Sequence, residues 1–434
     1  MSERVTRPVP PPAKEDSGAE HVIVVDLGYG DAGKGTVVDW LCARGPYAAV
    51  VRFNGGAQAA HNVVTPDGRH HTFAQFGSGT FTPGVVTHLS RFMLVDPLAL
   101  AAESAHLAAV GAGDALERLT VDRDALLTTP YHRAANRARD TALRHGSCGM
   151  GIGETASYAL ASEEAPRVGD CRSPARLRRR LGLLRDHLFD ELGPLDVPAV
   201  DDCVTAFTAF ASRVRITGED LLPGLLRRGP VVFEGAQGVL LDERFGFHPY
   251  TTWSTTTFAN AETLLDEAGP SARGGGVRRV GVLRAYQTRH GPGPFVTEDP
   301  KLDRPEPHNR HGRWQGEFRT GHLDAVALRY ALAVSGGADA LAVTHLDAPA
   351  PLICGAYDIG DRIAPAADLA GQALLSERLL TARPHYEPLG DDPAGAIEDA
   401  LGVPIWIRSH GPTAWDKAAS TSGVSAVRRV QAVA

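Results

Sequence analysis

The sequence predicts an α/β protein with a large, mostly parallel central sheet and helices on both faces of that sheet. Two observations predict this fold class. Short apolar runs of strand length alternate with longer segments whose apolar residues recur at helical spacing. Most of these runs end in a Gly-rich or polar loop, and such loops collect at the carboxyl edge of an open α/β sheet. We found no internal repeat, so we expect one α/β unit over residues 21–434, preceded by a Pro-rich, charged and disordered tail over residues 1–20.

Composition narrows the classes of function. The chain has 434 residues, enough for an enzyme-sized core, and its formal net charge of −7 provides no basic field for nucleic acid. No apolar run approaches the roughly 20 residues that span a bilayer, and the amino-terminal segment has no signal-peptide core. We therefore expect a cytoplasmic protein that binds neither nucleic acid nor membranes. The cysteines are odd in number and lack metal-ligand spacing, which argues against a disulfide framework or a zinc site: Cys42, Cys148, Cys171, Cys203 and Cys354.

The first element, Val22–Leu41, has the pattern of a buried strand, a Gly-rich turn and a helix that begins near Lys34. Such a turn forms a phosphate cradle, because its main-chain N–H groups and the positive end of the helix face an anion. Lys34 would add a point charge. Asp31 is unusual here, since phosphate repels a carboxylate that neither holds Mg²⁺ nor takes part in the chemistry. The Walker A pattern fails at its last position, where Gly35 stands and Thr36 follows one residue late, so an ordinary P-loop is less favoured.

The next elements repeat this alternation. Residues 49–64 form a strand that runs into a second loop of small residues, which carries His61. Apolar residues at helical spacing predict helices over residues 97–118 and 174–192. Between these helices, residues 145–159 form a third Gly-rich loop.

The carboxyl-terminal half contains further strands that run into polar loops. One stretch, TTWSTTT over residues 251–257, offers hydroxyls suited to phosphate or sugar contacts, although a plain edge strand explains it equally well. The strand-and-loop segments are residues 230–242 with Gln237, residues 278–295, residues 338–347 ending on Asp347, and residues 402–412 ending on Ser409 to Pro412.

Taken together, these loops resemble the adenylosuccinate synthetase family, whose members use GTP to join aspartate to IMP. The likeness runs from about Val22 to Trp415 and keeps the order and spacing of seven segments. GDAGKGT resembles the family's GDEGKGK, RFNGGAQAAH resembles its RYQGGHNAGH, and FEGAQGVLLD is nearly identical to its EGAQG segment. VLRAYQTRHGPGPFVTE is similar to KAYTTRVGxGPFPTE, FRTGHLD to the end of RRRTGWLD, THLD to TKLD, and GVPIWIRSHGP to GVPIxxxSTGP.

The resemblance implies roles for individual residues. Asp31 corresponds to the base that takes a proton from the acceptor's ring nitrogen while the γ-phosphoryl group of GTP moves to the adjacent carbonyl oxygen. His61 corresponds to its partner, which donates to the developing charge, and Gln237 would orient the acceptor's amide edge. Asp347 would accept two hydrogen bonds from guanine, so the use of GTP rather than ATP should carry over. The implied GTP-binding residues are Gly30, Asp31, Gly33, Lys34, Gly35, Thr36, His61, Asn62, His345, Asp347, Ser409 and Gly411, and the implied Mg²⁺ positions are Asp31 and Ala60.

Departures from the family concentrate on the acceptor and the amine. Where family members hold the 5′-phosphate of the acceptor with Asn and Thr, this chain has Gln58 and Cys148, and only Thr252 is kept. The family segment ARRGLRVGD, whose first Arg reaches that phosphate across a dimer, becomes SEEAPRVGD with Glu163 and Glu164. Carboxylates buried near a phosphate dianion would cost several kcal/mol without compensation. We therefore expect an altered phosphate site in this sequence.

The segment that binds aspartate in the family, TTGRRRRTG, becomes RWQGEFRTG. Arg313 and Arg319 are kept as candidate ligands for the amine substrate, whereas Trp314, Glu317 and Phe318 are new. Fewer fixed cations predict weaker recognition of a dicarboxylate.

Three interpretations compete. We prefer a GTP- and Mg²⁺-dependent C–N ligase, a homodimer by resemblance, that phosphorylates a carbonyl or lactam oxygen of a heterocyclic or nucleotide acceptor and displaces phosphate with an amine. Its acceptor or its amine would differ from IMP and aspartate. The second interpretation is an ordinary adenylosuccinate synthetase in which Arg167 or Arg172 replaces the cross-subunit Arg. The third is a GTP-binding regulatory protein without ligase activity; the joint retention of Asp31, His61 and Gln237 argues against it, because nucleotide binding alone needs neither a base nor its partner.

Overall fold

The computed structural model describes residues 20–143, 148–302, 304 and 316–420. Its strands are β1 His21–Asp26, β2 Ala49–Arg52, β3 His61–Val64, β4 His70–Phe73, β5 Val86–Leu89, β6 Leu94–Val95, β7 Leu119–Asp122, β8 Leu126–Leu127, β9 Arg215–Thr217, β10 Val231–Glu234, β11 Val277–Arg284, β12 Gln287–His290, β13 Phe318–Gly321, β14 Leu323–Asp324, β15 Ala340–Thr344, β16 Leu352–Tyr357, β17 Pro384–Pro388, β18 Ile405–Ser409 and β19 Lys417–Ala419. Its helices are α1 Lys34–Arg44, α2 Pro97–Ala109, α3 Pro130–Leu143, α4 Ile152–Ala161, α5 Pro174–Leu192, α6 Val200–Arg213, α7 Leu221–Arg228, α8 Ala259–Glu267, α9 Ala325–Val334, α10 Leu369–Thr381 and α11 Pro393–Leu401.

One large sheet organises the described part of the chain. Its ten strands follow the order β19-β18-β15-β11-β1-β10-β2-β5-β7-β9. Neighbouring strands are parallel except for β18 and β19, which are antiparallel. The loops after β1, β2, β10, β11, β15 and β18 therefore meet at one edge of the sheet. The predicted fold class is confirmed.

Strand β1 lies inside this sheet and is buried along its whole length, which explains its continuous apolar run. Ile23 and Val25 belong to a core cluster with residues of α7, α8, α9 and α11, whereas Val22 and Val24 pack with residues of α1. Helices thus cover both faces, and the loop after β1 is anchored from both sides.

The structure confirms the predicted bounds of one helix and corrects those of the other. Helix α5 spans Pro174–Leu192, as predicted. The helix predicted over residues 97–118 ends at Ala109, because Gly111 adopts a φ of 90° and the N–H of Ala112 turns back to the carbonyl of Leu107 at 2.8 Å. The apolar residues beyond this point lie in turns that lead into β7.

Residues 251–257 form a loop, so the alternative of a plain edge strand is wrong. The main-chain N–H of Thr252 donates to the carbonyl of Leu241 at 2.8 Å, and that of Thr256 donates to the carboxylate of Asp242 at 2.7 Å. These contacts bind the loop to the segment after β10 rather than to a sheet. The predicted tail, apart from residue 20, lies outside the described residues. Within the described ranges, no helix combines the length and the apolar character needed to cross a membrane.

Candidate active site

A cavity of about 480 Å³ lies at the carboxyl edge of the sheet. This volume falls within the usual range for small-molecule sites, roughly 300–1,000 Å³. Segments distant in sequence form its walls, because parallel strands bring their ends together. Among the residues proposed from sequence, those in the cavity wall are Gly30, Asp31, Gly33, Lys34, Gly35, Thr36, Gln58, Ala60, His61, Asn62, Gln237, His345, Asp347, Ser409 and Gly411.

Asp26, the last residue of β1, organises the Gly-rich loop. Its carboxylate accepts the N–H groups of Gly28 and Ala32 at 2.8 Å each and the ammonium group of Lys34 at 3.0 Å. The ion pair between Lys34 and Asp26 is buried. Lys34 therefore lies in the cavity wall, as expected, but Asp26 balances its charge.

Asp31 is held at the cavity by two contacts. Its φ of 59° lies in the left-handed region, which Asp tolerates better than most residues other than Gly. Arg284 donates from Nε to the Asp31 carbonyl at 2.6 Å, and Nε2 of His290 lies 3.3 Å from Oδ2 of Asp31. The Asp31 side chain is 26% exposed. One contact fixes the main chain and the other the carboxylate, so the group is oriented before a substrate arrives.

His61 is oriented by Glu234, a buried carboxylate at the end of β10. Nδ1 of His61 lies 2.6 Å from Oε1 of Glu234, which also accepts the hydroxyl of Ser78, and Oε2 accepts the Ser78 N–H at 2.9 Å. Burial alone would raise the pKa of Glu234, but the nearby Arg52 and the hydrogen bonds from His61 and Ser78 lower it to about 2. Because an ionised carboxylate only accepts hydrogen bonds, Nδ1 of His61 carries a proton, and Nε2 is left for a ligand.

The protonation of His61 follows from the same surroundings. Burial lowers the pKa of His61, and the attraction to Glu234 opposes this effect. The imidazole is therefore neutral at pH 7 in the chain without ligands. A bound triphosphate would add negative charge beside the ring and favour the imidazolium, which Glu234 stabilises.

Gln237 follows a pinned segment after β10. The N–H of Ala236 donates to Oδ1 of Asn54 at 2.7 Å, and Nδ2 of Asn54 donates to the Ala236 carbonyl at 3.0 Å. Gln237 itself has a φ of 62°. At Gly238 a Cβ would stand 2.2 Å from the carbonyl oxygen of Gly28, so only Gly lets this loop pack against the loop after β1. The main chain at Gln237 is thereby held against the loop after β1, and Gln237 lines the same cavity as Asp31.

The predicted guanine-binding residues come from neighbouring strands. The N–H of Leu346 donates to the carbonyl of Ser409 at 3.0 Å, which joins the loops after β15 and β18. Asp347 is exposed at the cavity wall. A Cβ at Gly411 would stand 2.8 Å from the side chain of Asp416. The main chain at position 411 therefore packs against Asp416 only because the residue is glycine.

His345 occupies the place of the Lys in the family's TKLD segment. Burial, with smaller contributions from Arg284 and Lys417, lowers the pKa of His345 to about 2. The ring is therefore neutral, and it packs edge-on against Tyr286 with 5.4 Å between ring centroids. This wall of the cavity has lost the positive charge that Lys carries in the family.

The residues predicted to bind the acceptor and the amine are less concentrated. Gln58 lies in the cavity wall, and neither polar atom of its carboxamide has a hydrogen-bond partner within the described ranges. Cys148 and Thr252 lie outside the wall. Arg313 falls outside the described residues.

Arg319 also lies outside the cavity wall, and other groups occupy its guanidinium. Nε donates to Oε1 of Glu298 at 2.8 Å and Nη2 to Oε2 at 2.5 Å, while Nη1 donates to the carbonyls of Gly291 and Gly293 at 3.0 Å each. These contacts close the hairpin of β12 and β13. In this conformation Arg319 supports the cavity rather than presenting its charge to an amine substrate.

The site has few side chains that could hold Mg²⁺. Across residues 20–143, 148–302, 304 and 316–420, no group of three or more His, Cys, Asp and Glu side chains is placed to hold a metal ion. Mg²⁺ is usually held by one or two carboxylates together with substrate phosphates, not by an all-protein cage. Asp31, a half-buried carboxylate in the cavity wall beside the Gly-rich loop, fits this arrangement, and the neighbouring main chain at Ala60 offers a carbonyl.

Comparison with known proteins identifies the family. The sequence profile of a family described as adenylosuccinate synthetase matches residues 23–388, which is most of the chain. The chain belongs to the adenylosuccinate synthetase family. Members are GTP-dependent ligases. The adenylosuccinate synthetase of Methylibium petroleiphilum is 31% identical over 90% of this chain and 95% of the relative. That of Saccharopolyspora erythraea is 35% identical over 79% of this chain and 82% of the relative.

Solved structures share the adenylosuccinate synthetase fold. Fully ligated adenylosuccinate synthetase from Plasmodium falciparum superposes with a TM-score of 0.78 at 23% identity, and the match covers 93% of this chain and 100% of that chain. The succinoaminodeoxyadenylate synthetase of cyanophage S-2L, bound to dGMP and to dATP as an energy donor, gives a TM-score of 0.62 at 19% identity. This second match covers 92% of this chain and 95% of that chain.

Sequence reasoning missed the residues that position the predicted ones. Asp26 and Glu234 are each the last residue of a buried strand. Asp347 was singled out because it ends an apolar run, so the same sequence pattern could have indicated these two residues. His290 stands where the family segment has Val, and that difference was also readable. Their partners could not be predicted, because each contact joins segments that are distant in sequence.

Proposed function

We propose that this chain is a GTP- and Mg²⁺-dependent C–N ligase that acts on an acceptor other than IMP, or with an amine other than aspartate. The observation that carries the proposal is the placement of Asp31, His61 and Gln237 on one cavity with the Gly-rich loop. This chemistry requires three groups: a base, a group that stabilises charge on the transferred phosphoryl, and an amide that orients the lactam. Asp31, His61 and Gln237 are the candidates for these roles, in that order.

The reaction follows from these groups. Asp31 takes the proton from the ring N–H of a lactam, and the lactam oxygen forms a bond to the γ-phosphorus of GTP as the bond to GDP breaks. Nε2 of His61, protonated beside the triphosphate, donates to the developing charge. The amine then attacks the activated carbon, loses a proton, and inorganic phosphate leaves. When bound, Mg²⁺ neutralises charge on the phosphates.

A changed acceptor is supported by the surroundings of α4. Its first turn carries Glu154, whose Oε1 lies 3.1 Å from Nε of Arg139. A carboxylate at a helix N-terminus occupies the positive end that would otherwise attract a phosphate. Together with Gln58 and Cys148 in place of phosphate ligands, this arrangement disfavours a phosphorylated acceptor.

A changed amine is supported by Arg319. Its guanidinium is engaged by Glu298 and two carbonyls, so a dicarboxylate would have to displace these contacts. Recognition of carboxylates by Arg depends on free paired N–H donors.

The ordinary adenylosuccinate synthetase reaction is the second candidate. Arg139 beside α4 favours it, because this partly exposed cation would need only to leave Glu154 and Glu191 to meet a phosphate. The cyanophage structure, bound to dGMP and dATP, supports the premise that related folds serve different nucleotides, so the fold alone does not select IMP.

A phosphate-release screen tests the proposal. Purified protein is incubated with GTP, Mg²⁺ and pairs of acceptors and amines, including IMP, inosine and hypoxanthine, each with aspartate and with other amino compounds. We expect release that depends on both an acceptor and an amine, with a pair other than IMP and aspartate turned over fastest. Fastest turnover of IMP with aspartate would instead support the ordinary synthetase.

The choice of nucleotide gives a separate prediction. Asp347→Asn is expected to weaken GTP binding by about 10–100-fold, because the carboxylate no longer accepts two hydrogen bonds from guanine. Titration calorimetry with GTP measures the change, and Asp391→Asn, at an exposed position outside the cavity wall, serves as the matched control. Equal use of ATP and GTP by the unaltered chain would contradict the assignment of Asp347.

A further inference from the structure

A buried lysine lies behind the loop that follows β18. Lys417, the first residue of β19, is only 5% exposed. Its ammonium group donates to the carbonyl of Thr413 at 2.8 Å and to that of Gly411 at 3.3 Å. Gly411 and Pro412 line the cavity. Because a buried charge is unfavourable unless it is hydrogen-bonded, Lys417 is bound closely to the main chain behind the cavity wall.

Donor side chains hold each carbonyl of the loop of residues 411–413. The hydroxyl of Thr36, in α1, donates to the Pro412 carbonyl at 2.7 Å, and Lys417 holds the carbonyls on either side. Thr36 stands where the family segment GDEGKGK ends in Lys, so this contact belongs to the present chain. The glycine of this loop would be free to adopt other conformations without such contacts.

The return of the chain into β19 brings Lys417 to this place. Strand β19 is antiparallel to β18 and pairs Lys417 with Ser409, which lines the same cavity. The turn between the two strands is closed by Asp416, whose Oδ2 accepts the N–H of Thr413 at 2.8 Å and its hydroxyl at 2.6 Å. The ammonium group therefore meets a loop whose path is already fixed at both ends.

Charged or titratable groups from three elements act on Lys417: Asp39 in α1, Asp416 in the turn before β19, and His345 after β15. Burial lowers the pKa of Lys417 to about 8, and the attraction of Asp39 and Asp416 opposes this effect. Burial raises the pKa of Asp39 to about 7, and Lys417 and Arg69 oppose that rise. The charge of Lys417 in turn contributes to the lowered pKa of His345. Lys417 is therefore protonated at pH 7 and acts on the cavity wall.

We propose that Lys417 is a positioning residue for the nucleotide base: its ammonium group, with the Thr36 hydroxyl, holds residues 411–413 in the conformation that binds guanine. A positive charge is thus kept behind this wall, although position 345 has lost the Lys of the family. The inference rests on the GTP site of the proposed function and is independent of the acceptor and the amine.

Calorimetry with Mg²⁺ and a non-hydrolysable GTP analogue tests this role. At pH 7, Lys417→Met is expected to weaken binding of the analogue about tenfold, because the loop loses two charge-assisted hydrogen bonds while the apolar side chain keeps a similar length. Lys301→Met removes an exposed lysine outside the cavity wall and should leave the affinity unchanged. Unchanged affinity in Lys417→Met would overturn the proposal.

The pH dependence separates positioning by the ammonium group from simple packing of the side chain. Lys417 is charged below about pH 8 and neutral above it, so the affinity of the unaltered chain should fall about three- to tenfold between pH 7 and pH 9. Lys417→Met should lack this fall. Asp39→Asn removes a carboxylate that favours the charged form of Lys417, so in this variant the fall should begin at lower pH.

The arms of the experiment distinguish the possible failures. The thermal unfolding midpoint reports whether Lys417→Met folds, and if it does not, the pH at which affinity falls in Asp39→Asn decides the question. A pH-independent affinity in the unaltered chain, an equal fall in Lys417→Met, or an unshifted fall in Asp39→Asn would overturn the role of Lys417. The phosphate-release screen tests the proposed function separately, because none of these binding measurements includes an acceptor.

Discussion

Asp31→Asn is expected to lower acceptor-dependent phosphate release from GTP by about 10²–10⁴-fold. The amide keeps the size of the carboxylate and tolerates the φ of 59°, so the loop should retain its conformation. What is lost is the group that removes the lactam proton as the oxygen attacks the γ-phosphorus. The measurement is the turnover number with the acceptor and amine that give the fastest release in the screen.

The control for this variant is Asp391→Asn, which changes an exposed carboxylate outside the cavity wall. Binding of the GTP analogue should persist in Asp31→Asn, because the main-chain donors of the Gly-rich loop and the pair of Lys34 and Asp26 are untouched. Turnover within a few-fold of the unaltered enzyme would show that Asp31 is not the base.

His61→Asn is expected to reduce the same turnover by about 10²–10⁴-fold, since it removes the donor to the transferred phosphoryl. Glu234→Gln tests how His61 is prepared for this role. An amide nitrogen at the Oε1 position would donate to Nδ1 of His61 and impose the wrong tautomer, and at the Oε2 position it would face the N–H of Ser78. We therefore expect a loss of about 10²-fold or more in Glu234→Gln, measured in the same phosphate-release assay.

The stability of the His61→Asn and Glu234→Gln variants must be measured together with their activity. Glu234→Gln in particular leaves the fully buried Arg52 without its countercharge. Binding of the GTP analogue and the thermal unfolding midpoint report whether the fold survives. A folded Glu234→Gln variant with unchanged turnover would contradict the orienting role of Glu234, and a folded His61→Asn variant with unchanged turnover would contradict that of His61.

The sequence predicted the features that depend on local pattern. The buried strand, Gly-rich turn and helix at Val22–Leu41 form as expected, because β1 is apolar on both faces and α1 begins at Lys34. The bounds of α5 were predicted because its leucines recur at helical spacing along one buried face. The bound of α2 was missed, since the apolar pattern continued past Ala109 while Gly111 turned the chain away.

The contacts that prepare the site could not be predicted in the same way. His61 and Glu234 are 173 positions apart, and Arg284 and Asp31 are 253 positions apart. Each pair meets because β1, β2, β10 and β11 are close in the sheet, and strand order is not encoded in any local window. The engagement of Arg319 by Glu298 has the same cause, since β12 and the segment after it fold onto β13.

Resemblance and geometry contributed different parts of the account. The family resemblance assigned Asp31, His61 and Gln237, and the structure brings these residues to one cavity. The substrate walls depend on side-chain environment, which the sequence alone did not provide. The pairing of Glu154 with Arg139 and the contacts of Lys417 with the loop of residues 411–413 are readable only from coordinates.

The specificity constant for IMP tests the central claim most directly. It is measured with purified protein, Mg²⁺, and saturating GTP and aspartate, by release of phosphate. The altered phosphate site predicts a specificity constant for IMP at least about a hundredfold below that of an ordinary metabolic enzyme. The reason is that two charge-assisted contacts to the phosphate are lost, at Gln58 and Cys148, and each is worth roughly 1.5–3 kcal/mol. A value of ~10⁴ M⁻¹s⁻¹ or higher would contradict the account and identify the chain as an ordinary adenylosuccinate synthetase.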